Sequence, residues 1–393
     1  MKFEKLGNIA EIIAGQSPPS SSYNKCGEGV AFFQGKTDYG KLNPTIRTWC
    51  TQPTKISLPN DILISVRAPV GPVNINNVEA CIGRGLSAIR VNKNVSRDYV
   101  FQFLKINEKK ISNLGVGSTF TAITQKDLKE IIIPLTTYSN QLYIAKLLGS
   151  AENLITQRKE SIRLLDEFLK STFLEMFGDP IKNEKGWLKN KVIEYADCIV
   201  PGRDKPKSFT GNIPWITTND LINKGFVYKS NSNIALSFSE IQTVKAKIIP
   251  AGSVLMTCVG DLGVISVCKE DCVVNQQLHT FQCKQGLNNI FLMYSLSFQN
   301  KFMIKSASST TLPYMNKTTC NSIPIINPPF GFQKQFALIV EKTESLKVQY
   351  QSSLQELENL YHSLSQQAFK GELNAKDEEM LMAAESSVEY NTK

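Results

Sequence analysis

Apolar residues change their spacing along this chain in one order, and the order occurs twice. Short apolar runs closed by turn residues come first. Asp61-Ile62-Leu63-Ile64-Ser65-Val66-Arg67 lies between Pro59-Asn60 and Pro69-Val70-Gly71. Ser253-Val254-Leu255-Met256-Thr257-Cys258-Val259 lies between Pro250-Ala251-Gly252 and Gly260-Asp261. Runs of this length with turn chemistry at both ends predict strands. Gly85-Leu86-Ser87-Ala88-Ile89-Arg90-Val91 and Gln277-Leu278-His279-Thr280-Phe281-Gln282-Cys283 alternate with period two and predict one further strand in each half. Short helices are expected around 99–113 and 290–304. Longer stretches then take a 3-4 spacing. Leu147, Ala151, Leu154, Leu165 and Phe168 mark a seam, interrupted by polar Arg158, Ser161 and Thr172. Phe336, Ile339, Leu346, Tyr350, Leu357, Leu360 and Leu364 mark a second. With no Gly or Pro at 151–177, a long helix is predicted there, and two such helices are expected to pair as a coiled coil.

The two halves are copies. Gly71 is matched by Gly263, Gln141 by Gln333, Leu165 by Leu357 and Phe177 by Phe369, each pair 192 residues apart. So long a period means a duplicated globular piece plus helix, not a solenoid. The expected fold class is α+β: a tandem duplication of a β-rich domain and a long helix. Because a whole domain links the first helix to the second, antiparallel pairing is geometrically easy. The expected boundaries are 1–134 and 181–328 for the domains, 135–180 and 329–373 for the helices, and 374–393 for an acidic, disordered tail. Some 35 helical residues at about 1.5 Å each would make a rod of roughly 50 Å with a basic domain at each end. The alternative is two separate amphipathic helices, each packed on its own domain.

Charge sharpens this picture. The net charge of +9 divides unevenly. Residues 1–134 hold 17 Lys and Arg against 10 Asp and Glu, and residues 179–328 hold 16 against 10. Residues 135–178 balance at 5 against 5, and residues 329–393 are acidic, with 6 against 10. Two basic bodies on neutral connectors suit a polyanion contacted in two places, although ordinary solubility charge would look similar. At 42% apolar and 20% charged residues the composition is that of a soluble globular protein. Nine cysteines, irregularly spaced, suggest a reducing compartment and hence a cytoplasmic protein. No opening apolar signal and no run of roughly 18 apolar residues points to secretion or to a membrane span.

Catalytic material is thin. With only His279 and His362, triads have little to draw on, and no Walker loop or complete dinucleotide fingerprint is present, Gly83-Arg84-Gly85 and Gly115-Val116-Gly117 included. Asn327-Pro328-Pro329-Phe330 matches the motif that clamps adenine in adenine-N6 methyltransferases. No glycine-bearing turn for S-adenosylmethionine precedes it, so it is expected to be structural. Cys268, Cys272, His279 and Cys283 match no standard zinc spacing and are expected to be buried thiols.

In order, Phe33-Gln34-Gly35-Lys36-Thr37-Asp38-Tyr39-Gly40, Ser65-Val66-Arg67-Ala68-Pro69-Val70-Gly71, Ile82-Gly83-Arg84-Gly85-Leu86, Gly117-Ser118-Thr119-Phe120, Ile131-Ile132-Ile133-Pro134-Leu135 and Gln141 resemble the specificity subunits of type I restriction–modification enzymes. The resemblance covers about residues 5–373, with Gln333 preceding the second helix. It implies two target-recognition domains and a paired-helix spacer. It also implies a non-catalytic subunit that binds double-stranded DNA and works with methyltransferase subunits, expected to be two, and with restriction/translocase subunits. S-adenosylmethionine, ATP and Mg are then expected only on those partners. The second half departs from the first: Cys258-Val259-Gly260 replaces the Arg67 region, and Asn275-Gln276-Gln277 replaces Gly83-Arg84-Gly85. A shared frame with different loops predicts two different half-sites.

Arg67, Arg84 and Lys36 suit guanine, whereas Asn275, Gln276, Gln277 and Asn219 suit adenine. Gln34, Tyr39, Lys41 and Thr218 complete the DNA-binding candidates, and Trp215 lies near them in sequence. Ile155, Ile162, Leu169, Lys347, Leu354 and Tyr361 are candidates for docking partner subunits along the outer helix faces. Two alternatives are a freestanding two-domain DNA-binding protein and an adenine-N6 methyltransferase using residues 327–330.

Overall fold

The computed structural model describes residues 1–115, 122–202, 204–308 and 311–374. The string Gly117-Ser118-Thr119-Phe120 and all but the first residue of the expected tail lie outside the described residues. The chain divides into two compact units, Met1–Arg158 with Ser353–Lys393, and Lys159–Ser352. Both long helices, Tyr138–Phe177 and Phe330–Lys370, cross the division, so each unit holds one β-rich domain and one end of each helix.

In unit 1 the expected strands form as Ile62–Ser65 and Leu86–Val91. They lie in an antiparallel sheet in the order Ala10–Ala14, Leu86–Val91, Ile62–Ser65, Val73–Ile75. A second sheet holds Val30–Phe33 parallel to Ala80–Ile82. Helix Arg97–Ile106 follows, its first turn capped by the Ser96 hydroxyl, which accepts from the Tyr99 N–H. Ile64, Ile89, Tyr99, Val100 and Leu104 build the core, and Ile144, Leu148 and Ala368 from the long helices complete it. The helices run antiparallel here. Asn140 donates to the Leu373 carbonyl at 2.9 Å, and Tyr361 donates to Glu152 at 2.7 Å.

Unit 2 repeats the plan. Val254–Thr257 and Leu278–Cys283 pair antiparallel, and Ile213–Ile216 lies parallel to Val273–Val274. Helix Asn289–Ser297 corresponds to Arg97–Ile106. The core takes Leu169, Phe173 and Phe177 from the first long helix and Phe336 and Val340 from the second. Phe173 meets Phe336 edge-on at 5.3 Å, and Lys347 pairs with Asp166 at 2.7 Å, again in antiparallel register. Both long helices stop at a glycine in the left-handed region, Gly178 (φ 75°) and Gly371 (φ 87°), where a side chain would be strained.

The repeat extends to single hydrogen bonds. The Gln141 side-chain oxygen accepts the Ser96 N–H at 2.8 Å, and that of Gln333, 192 residues later, accepts the Asn288 N–H at 2.8 Å. Both glutamines are buried, and each ties the start of a long helix to the start of the short helix packed beside it. Asn327 and Pro328 belong to the same device: Gln333 Nε2 donates to the Asn327 side chain at 3.0 Å and to the Pro328 carbonyl at 2.7 Å. The Asn-Pro-Pro-Phe string is a helix entry.

The helix stripe holds at Ala151 and Phe336, which are buried, and differs from expectation at other positions. Leu154, Phe168 and Leu360 are half-exposed, while Leu148 and Leu169 are fully buried. A 3-4 repeat offers two adjacent stripes, and the one that seals each domain as well as the facing helix wins. One docking candidate, Leu169, is corrected accordingly, and two others have partners within the chain. Leu169 lies in the unit 2 core, Lys347 is turned to Asp166 and Glu344, and Tyr361 packs on the unit 1 core with its hydroxyl on Glu152 and Gln102. Ile155, Ile162 and Leu354 are half-buried.

Candidate nucleic-acid interface

Strand register gathers several loops of unit 1 at one edge. Leu86 is opposite Ser65, Ser87 is opposite Ala14, and Phe33 runs parallel to Ile82. The segments leaving residues 14, 33, 65 and 82 and the one entering residue 86 therefore emerge together. Backbone bonds lock them. The Gly83 N–H donates to the Phe33 carbonyl at 2.8 Å, and the Val66 N–H donates to the Gly85 carbonyl at 2.9 Å. The approach is so close that a Cβ on Gly85 would strike the Gln34 carbonyl. Exposed Gln34, Arg67 and Arg84 stand on this rim, and Lys36 is on the short helix Lys36–Asp38 that follows it. The Asp38 carboxylate fixes that turn by accepting the Gln34 N–H at 2.7 Å and the Gly35 N–H at 3.3 Å.

Two unit 1 candidates are placed elsewhere. Lys41 is exposed, but neighbouring Leu42 accepts the Ile75 N–H, and Ile75 pairs with Ile62 at the strand end away from Arg67. Tyr39 is a correction. Its ring packs with the core cluster of Phe33, Leu63 and Ala80, and its hydroxyl is buried without a hydrogen-bond partner among the described residues. Burial, reinforced by the Asp38 charge, pushes this phenol well above its usual range. Apolar neighbours capture the ring, so it offers no platform to a base.

The same frame in unit 2 carries different side chains. The Asn275 N–H donates to the Ile216 carbonyl at 3.0 Å and the Cys258 N–H to the Gln277 carbonyl at 2.9 Å, as Gly83 and Val66 do in unit 1. Asp220 accepts the Thr217 N–H at 2.7 Å, as Asp38 does in the first turn. Asn219 and Gln276 are exposed and Thr218 is half-buried. Asn275 and Gln277 bond each other, the Asn275 amide donating to the Gln277 side chain at 3.1 Å and its oxygen accepting the Gln277 N–H at 3.2 Å. Trp215 is in a core cluster with Leu236 and Ile241, not on the rim.

Several rim neighbours escaped sequence reasoning. Arg47 holds the Thr37 carbonyl at 3.1 Å, and the Ser17 hydroxyl accepts the Arg84 N–H at 3.2 Å. In unit 2, exposed Tyr314 forms a β-bridge with Val259. The signal for Tyr314 was present: its position minus 192 is Ala122, the bridge partner of Arg67 in the first copy. Arg47 and Ser17 carry no such signal.

Below the unit 2 rim, Cys198 Sγ and Asn321 Oδ1 both lie 3.1 Å from His279 Nε2. Burial pushes the imidazole down to about 4 and raises the thiol, so the group is neutral packing. Among the described residues no three His, Cys, Asp or Glu side chains gather as a metal site, and no helix is long and apolar enough to cross a membrane.

The model of the type I restriction modification DNA specificity domain matches residues 1–164 and again 192–359. A Methanocaldococcus jannaschii protein provisionally named as the MjaX type I restriction enzyme specificity subunit is 51% identical over 160 residues, 40% of this chain and 38% of that protein. The MjaIX specificity subunit of the same organism is 22% identical over 408 residues, 95% of this chain and 94% of the relative. Among solved structures, the type I restriction–modification S subunit from M. genitalium shares the fold, with a TM-score of 0.61 at 15% identity over 94% of this chain and 96% of that one. With the family model matched once in each repeat, the chain belongs to the type I restriction–modification DNA specificity family.

Proposed function

We propose that this chain is the DNA sequence-specificity subunit of a type I restriction–modification complex and reads an asymmetric, interrupted site. It catalyses nothing itself. Methyltransferase subunits, two in number, would bring S-adenosylmethionine, and restriction subunits would bring ATP and Mg. One observation carries the reading beyond family membership. The turns at residues 83–85 and 275–277 share their backbone bonds, yet one lifts a guanidinium and the other lifts amides. Arginine favours guanine edges and Asn or Gln favours adenine edges, so the two half-sites differ. Phosphate attraction comes from the basic charge that both domains carry.

Methylome sequencing of a host carrying the cognate methyltransferase gene, with and without this chain, tests the proposal. Adenine methylation at one interrupted, non-palindromic motif should appear only when the chain is present. An unchanged set of modified motifs would overturn it.

A further inference from the structure

We propose that residues 15–17, directly after strand Ala10–Ala14, form a second reading element in unit 1. Gln16 reads a base in the same half-site as Arg84, and Ser17 positions the Arg84 turn. The inference rests on the DNA-reading function proposed above.

The backbone at residues 15–17 is held from several sides. The Gly15 N–H donates to the Leu86 carbonyl at 3.0 Å and the Gln16 N–H to the Ile82 carbonyl at 2.9 Å, so the segment grips both strands that flank the Arg84 turn. The Thr54 hydroxyl donates to the Gln16 carbonyl, and the Ser17 hydroxyl accepts the Arg84 N–H at 3.2 Å. Such closeness needs Gly15, because a Cβ there would collide with the Gly83 and Leu86 carbonyls. Pro18 and Pro19 follow and restrict the exit, and Tyr23 anchors it by donating to the Pro18 carbonyl at 2.8 Å. The Gln16 side chain is exposed and makes no hydrogen bond among the described residues.

A fixed backbone leaves only the side-chain rotamers to be ordered on binding, and a primary amide pairs in bidentate fashion with adenine N6 and N7. Arg84, whose N–H rests on the Ser17 hydroxyl, is matched to guanine by the same geometry. Unit 2 joins the corresponding segments through a different group: the side chain of Gln276, the counterpart of Arg84, donates from Nε2 to the Gly202 carbonyl at 3.4 Å. The segment after the first core strand therefore touches the reading turn in both copies. In unit 1 a backbone N–H meets a hydroxyl, and in unit 2 a side-chain amide meets a backbone carbonyl.

The experiment reconstitutes the full chain with its methyltransferase subunits and measures methylation on duplexes bearing single substitutions in the wild-type motif. Gln16→Ala should reduce discrimination roughly 10- to 100-fold at one position of one half-site, leaving the other half-site as stringent as before. Gln16→Glu, which keeps size and fold, should move the preference at that position away from adenine. Ser17→Ala should relax the position relaxed by Arg84→Ala, with no further relaxation in the double variant, and Ser17→Thr should restore stringency. Gln16 variants that discriminate like wild type everywhere, or that loosen both half-sites equally, would overturn the inference. A wild-type complex that directs no motif would overturn the underlying function, a separate result.

Discussion

His279 is one of two histidines in the chain, and its ring is 3% exposed in the unit 2 core beside Cys198, Phe281 and Asn321. Burial is the main cause of its low affinity for protons, the Lys317 charge adds to it, and the Asn321 bond opposes it in part. The folded chain holds this imidazole neutral down to about 4, whereas the unfolded chain protonates it near 6.5. Between those values the unfolded state binds the extra proton, so the contribution is present above 6.5 and is lost as pH falls. By pH 5 the loss should be about 2 kcal/mol. Urea unfolding of the purified chain at pH 7 and pH 5 measures it, and His279→Gln should shrink the difference between the two midpoints. An identical pH dependence in wild type and variant would show that the ring is not the group responsible. Composition could mark His279 as a poor catalyst. Only the fold could show which neighbours keep it uncharged.

At the scale of elements, the strands were legible because both ends of each run carry Pro, Gly or Asn, and the long helices because the 3-4 spacing runs on without a Gly or Pro at 151–177. What periodicity left open was the stripe. Phe168 fits the repeat by its spacing, yet it is half-exposed, while neighbouring Leu169 is sealed. The deciding partners are distant in sequence: Phe173 lies against Phe291, Phe298 and Phe336, none of which local spacing can supply. The expectation is a sharp contrast between two phenylalanines five residues apart. Phe173→Ala should cost about 3–5 kcal/mol, the range for a large aromatic removed from a packed core, whereas Phe168→Ala should stay within about 0.5 kcal/mol, as surface changes do. Thermal unfolding of the two variants decides it, and equal losses would mean that the seam has been assigned to the wrong stripe.

For the molecule as a whole, the division into units predicts what a transplant must carry. The unit 1 rim is built by residues from Ala14 to Leu86, with Ile123 donating its N–H to the Val66 carbonyl at 3.0 Å, so an exchange of residues 1–134 moves the rim complete. The core beneath it is not complete in that piece. Ile144, Ala145 and Leu148 from the first long helix and Ala368 and Phe369 from the second close it, and the Gln141 side chain holds the Ser96 N–H. A graft should therefore fold when the incoming domain presents counterparts of Tyr99, Phe103 and Leu104 to those helix residues. Phe369 meets Tyr99 at 5.3 Å and Phe103 at 5.2 Å, which makes these two rings the most exacting part of the joint. With that match, exchanging residues 1–134 for those of a relative should change one half of the methylated motif and leave the other half as it was. Sequencing the methylated sites of cells carrying the hybrid gives the answer directly. Motifs altered in both halves would mean that the two units do not read independently. A hybrid that regains its new half-site only when the helix residues are exchanged too would place the boundary of the reading module beyond residue 134.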